Sequence, residues 1–177
     1  PTFDVEALVW AMDVIIAANI RNVVGARLAS LGRKQRQGDV ETITALWVEK
    51  ANEFSSADYA RALVVIHAVG RRLGEFFLDF DVALSPTLAD PPLPLGASDQ
   101  MGDDLQAFND RLMGYIPFTP LYNISGNPAM SVPLHWSADG LPVGAHFGAA
   151  FGDEATLLRL AAQLESARPW FDRRPVM

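Results

Sequence analysis

The stretch PAMSVPLHWSADGLPVGAHFGA, residues 128–149, contains two runs with the composition of β-strands. The first run covers residues 128–136 and the second covers residues 141–149. The four residues between them end in Gly140, and glycine can adopt the left-handed backbone conformation that a tight turn needs. We therefore predict that the two runs pair as an antiparallel hairpin.

A third strand is predicted upstream of the hairpin. Residues 81–86 form a short apolar run that ends at a proline, a composition typical of a buried strand, and we expect it to lie beside the hairpin. Elsewhere, apolar residues recur at three- and four-residue steps, which predicts helices. The predicted helices cover residues 4–31, 44–51, 55–79, 103–115 and 153–166.

These patterns divide the chain into a helical first half and a mixed second half. Residues 1–80 are predicted to be helical, and residues 81–177 to hold the strands, the loops and a closing helix. Helices combined with few strands predict the α/β class, with helices covering the sheet. A chain of 177 residues is long enough for one domain with a sizeable core, so residues 1–177 are expected to belong to one domain.

Composition excludes several classes of protein. Half of the residues are hydrophobic, which is too much apolar material for a disordered chain. The net charge of −7 argues against nucleic acid or an anionic membrane as a partner. The absence of cysteine excludes disulfides and thiolate metal sites. The most apolar segment, residues 8–28, is interrupted by Asp13, Asn19, Arg21 and Asn22, and no signal peptide is visible, so a cytoplasmic protein is expected.

The familiar arrangements for nucleophilic catalysis are absent from the sequence. The serine motif Gly-x-Ser-x-Gly does not occur, and residues 123–126, the nearest match, predict a polar turn. Ser55 and Ser56 stand where they would cap a helix. Lys34 and Lys50 both fall in polar segments that predict exposure, whereas a lysine acting as a base needs burial. No catalytic residue is predicted in this chain.

Metal and cofactor sites are not predicted either. The three histidines, His67, His135 and His146, are too far apart in the sequence for a metal-binding motif. His135 and His146 lie on the two predicted strands and could face each other, but no carboxylate is near them. The proline run at residues 91–94 is consistent with an ordered surface loop or with a polyproline ligand for an aromatic groove.

Five segments of the second half occur in an order and spacing that resemble a known family. They are LSPT at residues 84–87, TPLYNISGNPA at 119–129, SVP at 131–133, GLPVG at 140–144, and residues 153–165. Together they resemble the carboxyl-terminal part of the amidase signature family. FGAAF at residues 147–151 and WFDRRP at 170–175 resemble the branch that includes bacterial amidases and cyclic amide oligomer hydrolases.

The resemblance implies a fold and an activity. The family has a large mixed β-sheet flanked by helices, and hydrolyses amide bonds with a lysine and two serines. Those residues lie in a Gly/Ser-rich signature in the amino-terminal half, and no such stretch exists here. The chain thus resembles the back part of an amidase acting on a small amide. Many members have Gln and Arg after the position of Gly144, where this chain has His146 and Ala149 or Ala150, which bears on the substrate class.

The resemblance also suggests which residues could line a substrate pocket. Loops at strand ends, residues 85–96 and 118–127, are natural pocket walls. The candidate substrate-binding residues are Phe118, Thr119, Tyr122 and Asn123, with Trp10 behind them. The alternative is structural: the aromatic residues would belong to the core, and Thr119 and Asn123 would cap a helix or turn.

Two other functions remain open from the sequence. The parent could be an amidotransferase subunit of the same family, or the chain could be a non-catalytic helical interaction module. Half of a sheet would leave an open edge and uncovered apolar side chains. We therefore expect self-association or association with the missing amino-terminal part.

Overall fold

The computed structural model describes residues 1–174, which form six α-helices, a short 3₁₀ turn and one three-stranded sheet. Pro175, the last residue of the WFDRRP segment, lies outside the described residues. The elements in chain order are α1 Val5–Ser30, α2 Thr42–Lys50, a 3₁₀ turn Ala51–Glu53, α3 Ser56–Phe76, β1 Val82–Pro86, α4 Leu105–Tyr115, α5 Pro120–Ser125, β2 Ala129–Trp136, β3 Pro142–Ala149 and α6 Glu154–Ala167.

The chain divides into two compact units. The sheet unit comprises Val69–Pro94 and the chain from Met113 onward, and it contains all three strands. The helical unit comprises Thr2–Ala68 and Leu95–Leu112. The single domain expected over residues 1–177 stays a prediction.

The sheet confirms the predicted hairpin and its neighbour. β2 and β3 pair antiparallel, and β1 pairs antiparallel with the other side of β3, so β3 is central. Gly140, in the turn, has a φ of 75°, the left-handed conformation expected of it. The mixture of helices and strands confirms the α/β class.

One face of the sheet packs against α6. Val132, Phe147 and Ala149 are buried with Leu157 of that helix. Asp153 caps α6 by accepting a hydrogen bond from the backbone N–H of Thr156 at 3.3 Å. The expected cover by the last helix is therefore confirmed, whereas cover by α1 stays a prediction because α1 belongs to the helical unit.

The helical unit has two small cores. In the first, α1, α2, the 3₁₀ turn and α4 meet around a cluster made of Ala17, Ile43, Trp47, Ala51 and Phe108. In the second, α1 and α3 meet through Ala11, Val14 and Ala62, which have no exposed surface. By length and composition alone α1 could cross a membrane. A helix that contributes to the core of a globular protein meets the same criterion, and α1 contributes to both clusters.

Two adjacent leucines of α6 test how much the sheet core contributes to stability. Leu157 is 4% exposed and Leu158 is 71% exposed. We expect Leu157→Ala to lower the free energy of unfolding by about 3 kcal/mol, because it removes buried methyl groups and leaves a cavity. Leu158→Ala should change it by less than about 0.5 kcal/mol. Urea unfolding followed by tryptophan fluorescence measures both, and equal effects would contradict the packing described for α6.

Candidate functional site

The face of the sheet opposite α6 carries small and polar side chains. Side chains alternate along a strand, so Gly144, His146 and Gly148 of β3 share this face. In the strand register His146 lies opposite Ser85 of β1 and Ser131 of β2. The sheet therefore has an apolar face that contributes to the core and a polar face whose side chains can form hydrogen bonds.

His146 is at the centre of the polar face. It is 4% exposed, and its Nδ1 lies 3.1 Å from the Oγ of Ser85. The ring also meets the Tyr122 ring edge-on, with centroids 5.1 Å apart. Burial lowers the pKa of His146 below its ordinary value of 6.5, so the imidazole is neutral near pH 7.

Tyr122 holds α5 against β3. Gly148 has no side chain, and a Cβ atom built there would lie 1.9 Å from the Cε1 atom of Tyr122. The aromatic ring thus occupies the space in which any other residue at position 148 would place its Cβ. Burial raises the pKa of the Tyr122 phenol, which keeps the hydroxyl protonated.

The end of β1 is fastened to both other strands beside Gly144. The hydroxyls of Thr87 and Ser131 are 2.6 Å apart, and the Thr87 N–H donates to the carbonyl of Gly144 at 3.1 Å. A Cβ atom at Gly144 would lie 2.4 Å from the Thr87 hydroxyl and 2.5 Å from that of Ser131. Glycine is therefore what allows the two hydroxyls to meet above the centre of the sheet.

A groove of about 530 Å³ opens beside these hydroxyls. Thr87, Ser131 and Gly144 contribute to its lining, and Asp90 lies on it. The other walls are mainly proline: Pro86, Pro91, Pro92, Pro133 and Pro142. Rigid apolar walls with a few hydroxyls are typical of a site for a small, largely apolar molecule with one polar group.

The helical unit has a larger cavity, of about 680 Å³. Its polar groups include Ser55, which is engaged at the start of α3: the Ser55 Oγ donates to Asp58 at 2.7 Å and accepts from the Asp58 N–H at 3.1 Å. This confirms the predicted helix cap. Ser55, one of the two serines that line this cavity, is already engaged in capping, so this cavity is the weaker candidate for a site.

The segment that contains most of the predicted site residues differs from expectation. Residues 118–127 were expected to form a loop, but Pro120–Ser125 is the helix α5. Pro120 occupies its first turn, and Gly126 ends it with a φ of 74°, both common positions for these residues. Six residues are too few to show helical periodicity in a sequence.

The predicted substrate-binding residues have different environments. Phe118 and Thr119 are half-buried before α5, Tyr122 is buried against Gly148, and Asn123 is exposed on α5. Trp10 belongs to the helical unit, where the Arg61 guanidinium lies 4.4 Å from its ring centroid. Thr119 makes no side-chain capping bond to α5. The buried amide of this region is Asn127, whose Nδ2 donates to the carbonyl of Ala149 at 2.8 Å.

The predicted pocket-wall loop at residues 85–96 contains Ser85 and Thr87, but the polar face as a whole was not predicted from the sequence. Ser85, Thr87, Ser131 and His146 are spread over 62 positions of the chain, and only the strand register brings them together. The alternation of side chains along the strands was the available signal. His135 and His146 do not face each other, since His135 lies opposite Val143.

Lys50 was predicted to be exposed and is mostly buried. Its Nζ lies 2.6 Å from the Oδ2 of Asp13, because α2 packs along α1 and brings the two side chains together. The ammonium also lies 5.3 Å from the centroid of the Trp47 ring. Lys50 is therefore engaged in an ion pair within the helical unit. Among residues 1–174, no group of three or more His, Asp or Glu side chains could hold a metal ion.

Comparison with known proteins gives one family. The model of the Amidase family matches residues 7–158. The putative amidase AmiC of Mycobacterium leprae is 49% identical over 110 residues, which are 62% of this chain and 23% of that protein. The 6-aminohexanoate-cyclic-dimer hydrolase of Paenarthrobacter ureafaciens is 32% identical over 151 residues, 82% of this chain and 31% of that protein. The chain thus spans less than a third of either relative.

The fold matches a solved hydrolase. The structure of 6-aminohexanoate cyclic dimer hydrolase complexed with substrate superposes with a TM-score of 0.88 and 29% identity. The superposition covers 95% of this chain and 36% of the hydrolase chain. Both units of the chain therefore have counterparts in that structure.

The contact of Tyr122 with Gly148 can be tested by substitution. We expect Gly148→Ala to lower the free energy of unfolding by about 2 kcal/mol, because the added methyl group collides with the ring. Gly74→Ala is the control, since a Cβ atom there meets nothing within 4 Å and alanine favours the helix. Chemical denaturation measures both. An effect of Gly148→Ala that persists undiminished in a Tyr122→Ala background would contradict this contact.

The buried imidazole predicts a pH dependence of stability. The pKa of His146 is lowered in the folded state, so below about pH 6.5 the unfolded chain binds a proton that the folded chain resists. The stability contributed by neutral His146 is present above pH 6.5 and is lost as the pH falls toward the folded pKa.

Unfolding free energies at pH 7.5 and pH 5.5 measure this effect. His146→Gln should reduce the loss of stability at the lower pH, because glutamine does not titrate. His67→Gln, at an exposed position, should leave the loss unchanged. The same loss in all three proteins would show that His146 does not cause it.

Proposed function

The chain belongs to the amidase family, and we propose that it forms the carboxyl-terminal portion of an amidase whose two serines and lysine lie outside these 177 residues. The observation that carries the proposal is the family match over residues 7–158, together with the shared fold. The sequence contains no Gly/Ser-rich signature, and Lys50 is paired with Asp13. We also propose a cytoplasmic location, which is supported only by the expectation from the sequence.

The reaction proposed for the whole enzyme is amide hydrolysis through an acyl-enzyme. A serine oxygen attacks the amide carbonyl carbon, the amine leaves with a proton, and water then releases the acid. Donors fixed around the carbonyl oxygen stabilise the negative charge that develops on it. This chain would supply walls of the substrate pocket and side chains that orient the substrate, but it would not supply the nucleophile.

The groove beside Thr87 and Ser131 supports a role in holding the substrate. A hydroxyl can both donate and accept a hydrogen bond, so the pair can satisfy an amide N–H or carbonyl while the proline walls contact methylene groups. The P. ureafaciens relative is named for a cyclic dimer of 6-aminohexanoate, an amide flanked by methylene chains. We propose a small amide of this apolar kind as the substrate.

The predicted pocket residues divide into two roles under this proposal. Phe118, Thr119 and Asn123 present accessible surface near α5 and would contact the substrate. Tyr122 is buried on Gly148 and would hold α5 in place. Trp10, in the helical unit, stays a predicted pocket residue.

We expect the 177-residue chain alone to hydrolyse no amide above background. Without a nucleophile–base unit, only binding and orientation remain, and these do not break the amide bond. The experiment assays the purified chain on hexanamide and benzamide. Amidase activity should appear when the chain is co-expressed with the amino-terminal portion of the M. leprae putative amidase.

Turnover by the chain alone would contradict the proposal if a serine substitution abolished it. Ser85→Ala is the first variant to examine, because Ser85 contacts His146, and Ser125→Ala and Ser55→Ala follow. Ser137→Ala, in the hairpin turn, is a matched control. A chain that forms a stable complex with the amino-terminal portion but yields no amidase activity would favour the non-catalytic interaction module.

A further inference from the structure

The groove beside Thr87 and Ser131 carries a single charged side chain among residues 1–174, that of Asp90. The rest of its lining consists of the two hydroxyl residues, prolines, and small or aliphatic residues. A carboxylate at the rim of an otherwise uncharged groove attracts cations and repels anions. The groove can therefore distinguish ligands by their charge as well as by their shape.

The loop that carries Asp90 is held on both sides of this residue. The Ala89 N–H donates to the carbonyl of Tyr115, the last residue of α4, at 3.0 Å. The Tyr115 hydroxyl donates to the carbonyl of Pro91 at 3.5 Å. All of these residues belong to the sheet unit.

Proline restricts the same position further. The residue before a proline is largely confined to extended backbone conformations, and Asp90 precedes Pro91. The backbone of Asp90 is thus fixed by its neighbours even though it lies in a loop. Its side chain is exposed and lines the groove, where a ligand can reach it.

The groove offers different partners to different parts of a ligand. The hydroxyls of Thr87 and Ser131, which are 2.6 Å apart, can bond to an amide group. The proline walls contact methylene groups, and Asp90 attracts a positive charge. A ligand that uses all three features has an amide, an apolar chain and a cationic group.

We propose that Asp90 selects amides that carry a protonated primary amine, an inference that rests on the function proposed above. A primary alkyl amine is protonated near pH 7, since its reference pKa, that of lysine, is about 10.4. Its ammonium group donates charge-assisted hydrogen bonds to the carboxylate while the hydroxyl pair holds the amide. The substrate class is therefore the ω-amino amides, in preference to amides whose chain ends in a neutral or acidic group.

A metal ion is the other cation to consider, and the donor set argues against it. Ca²⁺ takes about six to eight oxygen ligands, and several of them are usually carboxylates. Among residues 1–174 no group of three or more His, Asp or Glu side chains could hold a metal ion, and the groove has one carboxylate. An ammonium group needs only that one, so it is the cation that we favour.

The test is an NMR titration of the ¹⁵N-labelled 177-residue chain with three amides of similar size and different charge. 6-Aminohexanamide is positive, heptanamide is its neutral counterpart, and adipic acid monoamide is negative. The backbone amide signals of Thr87, Ser131 and Gly144 report binding in the groove and give each dissociation constant. At low salt 6-aminohexanamide should bind about threefold more tightly than heptanamide, as expected for an exposed charge pair, and adipic acid monoamide should bind least tightly.

Two matched substitutions assign the preference to one side chain. Asp90→Asn keeps the shape of the side chain and removes its charge, so the preference for 6-aminohexanamide should disappear. Asp139→Asn, at an exposed position of the hairpin turn, changes the net charge equally but away from the groove, and it should retain the preference. Salt at 1 M, where the Debye length is about 3 Å, should abolish the preference of the unsubstituted chain.

Several outcomes would overturn the proposal. These are equal binding of the three amides, unchanged groove signals with 6-aminohexanamide, a preference that persists in Asp90→Asn, or one that Asp139→Asn also abolishes. Amidase activity of the chain co-expressed with the amino-terminal portion of the M. leprae putative amidase is measured separately. An active complex without the charge preference contradicts the role of Asp90 alone. An inactive complex whose 177-residue chain shows the preference contradicts the proposed function and leaves the amine site intact.

Discussion

The polar face of the sheet depends on the contact between the Tyr122 ring and the backbone of Gly148. A ring can lie directly on a strand only where that strand has no side chain, and Gly148 provides this. The contact brings α5 onto β3 and closes one side of His146, whose burial and neutral state follow. Asn127, just after α5, then bonds to the carbonyl of Ala149, the residue after Gly148. One absent side chain thus positions a helix, a histidine and a buried amide.

β3 has two roles because its residues alternate between two surfaces. Phe147 and Ala149 face α6 and contribute to stability through burial. Gly144, His146 and Gly148 face the other way. The two glycines leave space for the side chains of neighbouring elements to lie against β3, and the histidine bonds to Ser85. The central position of β3 makes this division possible. Both of its edges pair with another strand, so its side chains are not needed to shield unpaired backbone groups.

The sequence predicted what depends on local pattern. The hairpin followed from Gly140 and two strand-like runs, and α6 followed from apolar residues that recur at three- and four-residue steps. α5 was missed because a six-residue helix has no measurable periodicity, although Pro120 and Gly126 marked its ends. Lys50 was misjudged because its polar neighbours in the sequence do not reveal Asp13, which is 37 residues away.

The candidate site was harder to predict because register creates it. Ser85, Ser131 and His146 come from three strands, and a shift of one residue in any pairing would point one of them into the core. Resemblance to a family supplied the kind of chemistry, and it directed attention to the loops at residues 85–96 and 118–127. The first loop contains Thr87, but its partner in the hydroxyl pair, Ser131, lies on β2 and in neither loop.

The meeting of Thr87 and Ser131 over Gly144 has a consequence for how such a groove can diversify. Its floor has no spare volume, because any side chain at position 144 would push the two hydroxyls apart. Its rim is different, since Asp90, Pro91 and Pro92 are exposed and lie in a loop outside the helices and strands. Substitutions that change the shape of the groove should therefore accumulate at the rim, whereas the floor tolerates almost no substitution. Substitutions at the rim would thus reshape the groove without disturbing the sheet beneath it.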